Sequence, residues 1–158
     1  MDVISTRKVV LGLGNILFRD EGLGIHCLDA LQGKIDPHDT IELVDGGTLG
    51  LNLLPLVETC SHLLVLDAVD GAEAPGTIIE IDNWQVSAIN DINLSEHQME
   101  FQNVVGIALF EGRLPAFLHV IGIQPADLNT GLGVSQEVQN AIPQVIARAQ
   151  EVLKSWQD

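Results

Sequence analysis

Cations are scarce in this chain: seven Lys and Arg stand against 22 Asp and Glu, a formal net charge of -15. That balance opposes the phosphate neutralisation on which nucleic-acid binding depends and favours a basic or cationic partner. Cysteine is scarcer still. Only Cys27 and Cys60 occur, too few for a disulfide scaffold and not spaced as a zinc knuckle, so both are expected to be buried free thiols. No stretch reaches the roughly 18 uninterrupted apolar residues of a membrane helix. The opening MDVISTRKVV carries an early acid, and the apolar run after it is broken by Asn15 and Arg19, unlike a signal peptide. A cytoplasmic location is expected. No serine sits in a G-x-S-x-G turn and no HExxH occurs, so neither a serine-hydrolase elbow nor a zincin centre is evident. Internal repeats, low-complexity tracts and linkers are missing too, which makes residues 1–158 one expected domain.

What is present is ample core material: 46% hydrophobic residues and a mean hydropathy of +0.26, enough for a globular fold of this size. The chain is organised around KVVLGLGNILFRDEGLGIH at 8–26. Val9, Val10, Leu11 and Leu13 form a short apolar run ending in glycines, the pattern of a strand covered on both faces. Asp20 and Glu21 follow where a helix begins, the end that favours negative charge, with Asp20 a candidate N-cap. A helix is expected over 22–31 and a second strand from 41, closing at Asp45-Gly46-Gly47-Thr48. The next helix spans 51–59, with Thr48 as cap and a disturbance at Pro55. HLLVLDAV at 62–69 is the most apolar strand. Only residues 68–75 separate it from a fourth strand at 76–82, too few for a parallel crossover, so that strand is expected to run antiparallel to the third. Residues 83–95 read as loop, 98–110 as a helix capped by Ser95, and 116–123 as the fifth strand. A long amphipathic helix capped by Ser135 ends the chain, with a bend expected at Pro143. Alternating elements of this kind predict a three-layer α/β/α fold around a mainly parallel sheet, with ligands at the carboxyl ends of the strands.

Two chemistries compete for those carboxyl ends. Gly12-x-Gly14 after a strand invites a dinucleotide site, with Asp45 toward a ribose, but Leu17 occupies the place of the third glycine, and carboxylates facing a pyrophosphate would repel it. Glu21, Asp67 and His97 instead offer two oxygen donors and one nitrogen from three separate elements. That set suits a borderline divalent ion such as nickel or zinc with open coordination positions. Spacing alone equally allows His97 to be a loop or helix-start histidine. Asp45 could position a peptide or be a turn residue. His26 falls in a helix, His38 in a loop, His62 at the start of a strand and His119 inside one, and Trp84 and Trp156 are expected to pack.

GLGNILFRDEGLG at 12–24, DGGTLG at 45–50, LDAV at 66–69 and LSEHQ at 94–98 resemble, in order and spacing, the signature blocks of the nickel-iron hydrogenase maturation proteases. The similarity runs over nearly the whole chain. It implies a five-stranded sheet of order 2-1-3-5-4 with the fourth strand antiparallel, and metal-contacting roles for Glu21, Asp67 and His97. It implies an endopeptidase, grouped with the aspartic-type peptidases, that recognises nickel carried by the hydrogenase large-subunit precursor and removes a short C-terminal extension. The nickel then belongs to the substrate, and the catalytic group is left open. A nickel-binding maturation chaperone using the same three ligands, or a small-molecule hydrolase of the same fold, remains the alternative.

Overall fold

The computed structural model describes residues 6–82 and 93–157. Strand β1 (Lys8–Leu13) lies between β2 (Ile41–Gly47) and β3 (His62–Ala68), parallel to both. β3 pairs in parallel with β5 (Phe117–Ile123), and β4 (Ile78–Asp82) closes the sheet antiparallel to β5. The order is β2-β1-β3-β5-β4, as the family resemblance implies. The short connection after β3 does reverse the chain, but β4 hydrogen-bonds to β5, with Ile78 opposite Ile123. Both edges of β3 are already taken by β1 and β5, so the returning strand has only the outer edge of β5 to join.

Side chains alternate across the sheet. Val10, Leu64, Leu66, Ile121 and Ile123 face one side, where α1 (Leu23–Leu31) and α4 (Gln136–Ser155) pack. Val9, Leu11, Leu63, Val65, Leu118 and Val120 face the other, against α2 (Leu54–Thr59) and α3 (Glu96–Phe110). Both faces are covered, so Leu63, Leu64, Val65 and Leu66 are all fully buried, each contributing on the order of 1.5–3 kcal/mol of apolar burial. This is why β3 reads as a continuous apolar run rather than an alternating one. In β4, by contrast, Ile81 is buried while Glu80 is exposed and pairs with Arg148 and His119. Among the described residues no helix is long and apolar enough to cross a membrane.

Several local expectations need correction. The helix expected over 51–59 is two pieces, a 3-10 turn Gly50–Leu53 and then α2, and no side chain caps either, Thr48 included. Pro55 sits in the first turn of α2, where its missing N–H leaves no hydrogen bond unmade. Pro143 lies inside α4, which runs unbroken from Gln136 to Ser155, so any bend there does not end the helix. The loop expected over 83–95 falls outside the described residues from 83 to 92, and Trp84 with it; Trp156 is packed in the core.

The crossover from β1 to β2 carries α1 on one face, and the crossover from β2 to β3 carries α2 on the other. The connections therefore part between β1 and β3, and a crevice opens outside the carboxyl ends of that central pair.

Candidate functional site

At the mouth of this crevice the chain after β1 makes a 3-10 turn, Arg19–Gly22, that leads into α1. Two glycines let it approach the sheet. Gly14 has φ +128, and a Cβ there would lie 1.9 Å from the Glu21 carbonyl oxygen. A Cβ on Gly24 would lie 2.2 Å from the carbonyl oxygen of Leu66 and 2.3 Å from that of Leu13. The glycines of 12–24 thus do not cradle a phosphate; they let the start of α1 press onto the ends of β1 and β3, bringing Glu21 beside Asp67.

Asp20 is not the N-cap that its position suggests. It is fully buried, and its carboxylate accepts from the N–H groups of Ala126 (2.8 Å), Asp127 (3.0 Å) and Ser135 (2.6 Å) and from the Ser135 hydroxyl (2.7 Å). Burial works to raise its pKa, but these four hydrogen bonds outweigh it and hold the carboxyl below the usual range. Main-chain bonds from Arg19 N to Gly131 O and from Asp20 N to Asp127 O run alongside. The turn that carries Glu21 is in this way fastened to the loop before α4.

The structure brings Glu21, Asp67 and His97 together. His97 lies between the two acids, Nδ1 3.1 Å from Glu21 Oε1 and Nε2 3.2 Å from Asp67 Oδ2. Asp67 is 2% exposed, and its carboxylate also accepts from Ala68 N at 2.8 Å and from Gln98 Nε2 at 2.9 Å. Carboxylates only accept, so both imidazole contacts are made at once only when both ring nitrogens carry a proton. Burial pulls the His97 pKa down, yet the hydrogen bond and charge of Asp67, with those of Glu21, more than offset it and raise the pKa. Burial raises that of Asp67, and the bonds from His97, Gln98 and Ala68 do not cancel it. Both shifts have one meaning for the set: it keeps a proton to higher pH than separate side chains would.

In this arrangement the three side chains satisfy one another rather than surround a common point. Among the described residues no group of three His, Cys, Asp or Glu is poised around an ion. The donor chemistry suits a divalent metal, but engaging one means drawing the His97 ring out of its contacts with the carboxylates. Glu21 is the accessible member, its side chain 25% exposed. Two openings meet at the Glu21–His97 pair. One, of about 470 Å³, is bounded by Asn15, Phe18, Thr48, Glu96 and Glu100; the other, of about 210 Å³, is bounded by Ala68, Leu94, Pro125 and Leu128.

The remaining candidates lie elsewhere. Asp45 is exposed and accepts from Gly47 N at 3.0 Å, and it borders neither opening. Burial pushes the Cys27 thiol up to about 12 and the Cys60 thiol to about 11, so neither supplies a thiolate nucleophile near neutral pH. His62 stacks on Phe117 with centroids 4.5 Å apart, and His119 pairs with Glu80. From the sequence Gln98 is the start of a helix and the last residue of the LSEHQ block. The S-x-x-Q spacing from Ser95 is a capping-box signature that marks its backbone role, but nothing local points to Asp67.

The hydrogenase maturation protease family model matches residues 25–152, a span that includes Asp67 and His97 and begins just after Glu21. The chain is 38% identical over 154 residues to the hydrogenase expression/formation protein HupD of Rhizobium leguminosarum bv. viciae, covering 96% of this chain and 76% of the relative. It is 34% identical to the hydrogenase 2 maturation protease of Escherichia coli K12, covering 92% of each. The solved hydrogenase maturating endopeptidase HybD from E. coli superposes with a TM-score of 0.88 at 32% identity, covering 96% of this chain and 94% of that one.

Proposed function

This chain belongs to the hydrogenase maturation protease family, and on that premise we propose that it removes a short C-terminal extension from a nickel-loaded hydrogenase large-subunit precursor, with Glu21, Asp67 and His97 as the side chains that meet the nickel. The observation that carries the reading is the position of His97, bridging two acids at the crevice between β1 and β3. A metal brought by the substrate arrives first at Glu21, the exposed donor, and competes with a proton for His97.

The chain's own part is to orient and to handle protons. Neutral His97 donates a nitrogen lone pair, and the proton it gives up leaves toward Glu21 or solvent. Asp67 is fixed from behind by Ala68 N and Gln98, which keeps one carboxylate aimed at the site. The aspartic-type grouping fits Asp67 better than Asp45, because Asp67 is the buried carboxylate with a raised pKa while Asp45 is spent on its own turn. With both thiols unreactive and no serine elbow, water is the nucleophile, and the nickel of the substrate can serve as Lewis acid.

The test uses one precursor in two forms, nickel-loaded and metal-free, each mixed with the purified protein. Shortening of the loaded form alone is the expected result. Equal trimming of both would remove nickel from recognition, while tight stoichiometric nickel on the free protein with no cleavage would favour the chaperone alternative.

A further inference from the structure

Gln98 follows His97, is 3% exposed, and has both polar atoms of its side-chain amide committed. Its Oε1 accepts from Ser95 N at 3.0 Å, while Nε2 donates to Asp67 Oδ2 at 2.9 Å and to the Ala68 carbonyl. One planar group therefore spans the start of α3 and the end of β3, the elements that carry His97 and Asp67. The amide fits one way only. Reversed, its NH₂ would face the Ser95 N–H, and its oxygen would face a carboxylate and a carbonyl.

We infer that Gln98 is a positioning residue for this reaction: it keeps the Asp67 carboxylate aimed at the site when His97 is drawn away to the substrate. The inference rests on the functional reading above. Asp67 has three partners in the resting site, and His97 is the one that the metal takes. What remains is Ala68 N, a neighbouring backbone group, and Gln98. Without Gln98 a carboxylate that is 2% exposed would keep a single hydrogen bond, from the adjacent backbone, and one bond leaves the group able to turn out of register. Oriented second partners of this kind are worth about 10- to 100-fold in activity or metal affinity at metal sites.

The competing role is purely structural, since Gln98 also completes the capping box with Ser95. Gln98→Glu separates the two. Glutamate is an equally good capping-box residue and preserves the acceptor for Ser95 N, but it replaces the donor that faces Asp67 with a second carboxyl oxygen. Gln98→Met is the companion, keeping volume and removing the amide without adding charge. Both variants are checked for folding by two-dimensional amide NMR and assayed on nickel-loaded precursor. We expect kcat to fall about 10- to 100-fold with KM within about twofold, because the docking surface outside the crevice is untouched. A folded Gln98→Glu protein that processes at the wild-type rate overturns the inference and leaves Gln98 a helix cap; if Gln98→Glu does not fold, a folded Gln98→Met protein at the wild-type rate does the same. Failure of the wild-type protein to cut the loaded precursor would instead strike the functional reading itself.

Discussion

Asp20→Asn is the sharpest probe of how the site is held. Asp20 Oδ2 accepts three of the four hydrogen bonds, from Ala126 N, Asp127 N and the Ser135 hydroxyl, and Oδ1 accepts the fourth, from Ser135 N at 2.6 Å. Asparagine can set its one oxygen in the place of Oδ2, but its NH₂ then points at the Ser135 N–H, donor against donor. The variant loses one charge-assisted bond outright and weakens three, at about 1.5–3 kcal/mol for a bond to a charged group, so a loss of about 2–4 kcal/mol is expected. For a chain of this size that is a fall in Tm of roughly 5–15 °C. Urea unfolding followed by circular dichroism at neutral pH measures it. Because the Asp20 pKa is lowered in the fold, its contribution is complete above the unfolded value, about 3.9, and is lost as pH falls through the lower folded value. The gap between wild type and Asp20→Asn should therefore narrow in acid. Hydrogen exchange supplies a local readout, since the amides of Ala126, Asp127 and Ser135 should lose protection first. A variant within about 0.5 kcal/mol of wild type, the range of an ordinary surface change, with those amides still protected, would refute this account of the turn.

Three further outcomes are expected. Processing of loaded precursor should weaken as pH falls through the raised pKa of His97, so the decline begins above the reference value of about 6.5; a rate–pH profile flat to pH 6 would contradict a neutral His97 in the reaction. Gly24→Ala forces a Cβ to 2.2 Å from the Leu66 carbonyl oxygen, backbone that cannot step aside, and should cost about 4 kcal/mol or more, seen as loss of soluble protein or a collapsed Tm. Cys27 and Cys60 should resist thiol reagents in the native protein and react only on unfolding, so labelling followed against urea should track the global transition.

Legibility of the sequence divided along distance in the chain. The apolar run of 62–69 announced a buried strand because nothing polar interrupts it before Asp67, and the brevity of 68–75 revealed the reversal of β4. Ser95 was readable as a cap because its partner is three residues away. The partner of β4, however, depends on which sheet edge is free, a property of the assembled sheet. The role of Asp20 is hidden for the same reason: its position before a helix suggests a cap, whereas its partners lie 106 to 115 residues further on. Glu21, Asp67 and His97 were recognisable as donors through the resemblance, but their mutual hydrogen bonding follows from the close seating of α1 at Gly24, which no local pattern describes.

The pairing of β1 with β3 also bears on when the site comes into being. Lys8 stands opposite His62 and Gly12 opposite Leu66, so closing the central pair brings together strands separated by β2 and two helices in the chain. His97 lies 30 residues beyond Asp67, on a helix packed against the opposite face from α1. Contacts of such long sequence separation form slowly, because loop closure precedes their reward. A nascent or partly collapsed chain thus has an acid at 21, an acid at 67 and a histidine at 97 but nothing that joins them. Competence toward the substrate's metal should emerge in the last phase of refolding, together with the rate-limiting closure of the sheet, and at no earlier stage.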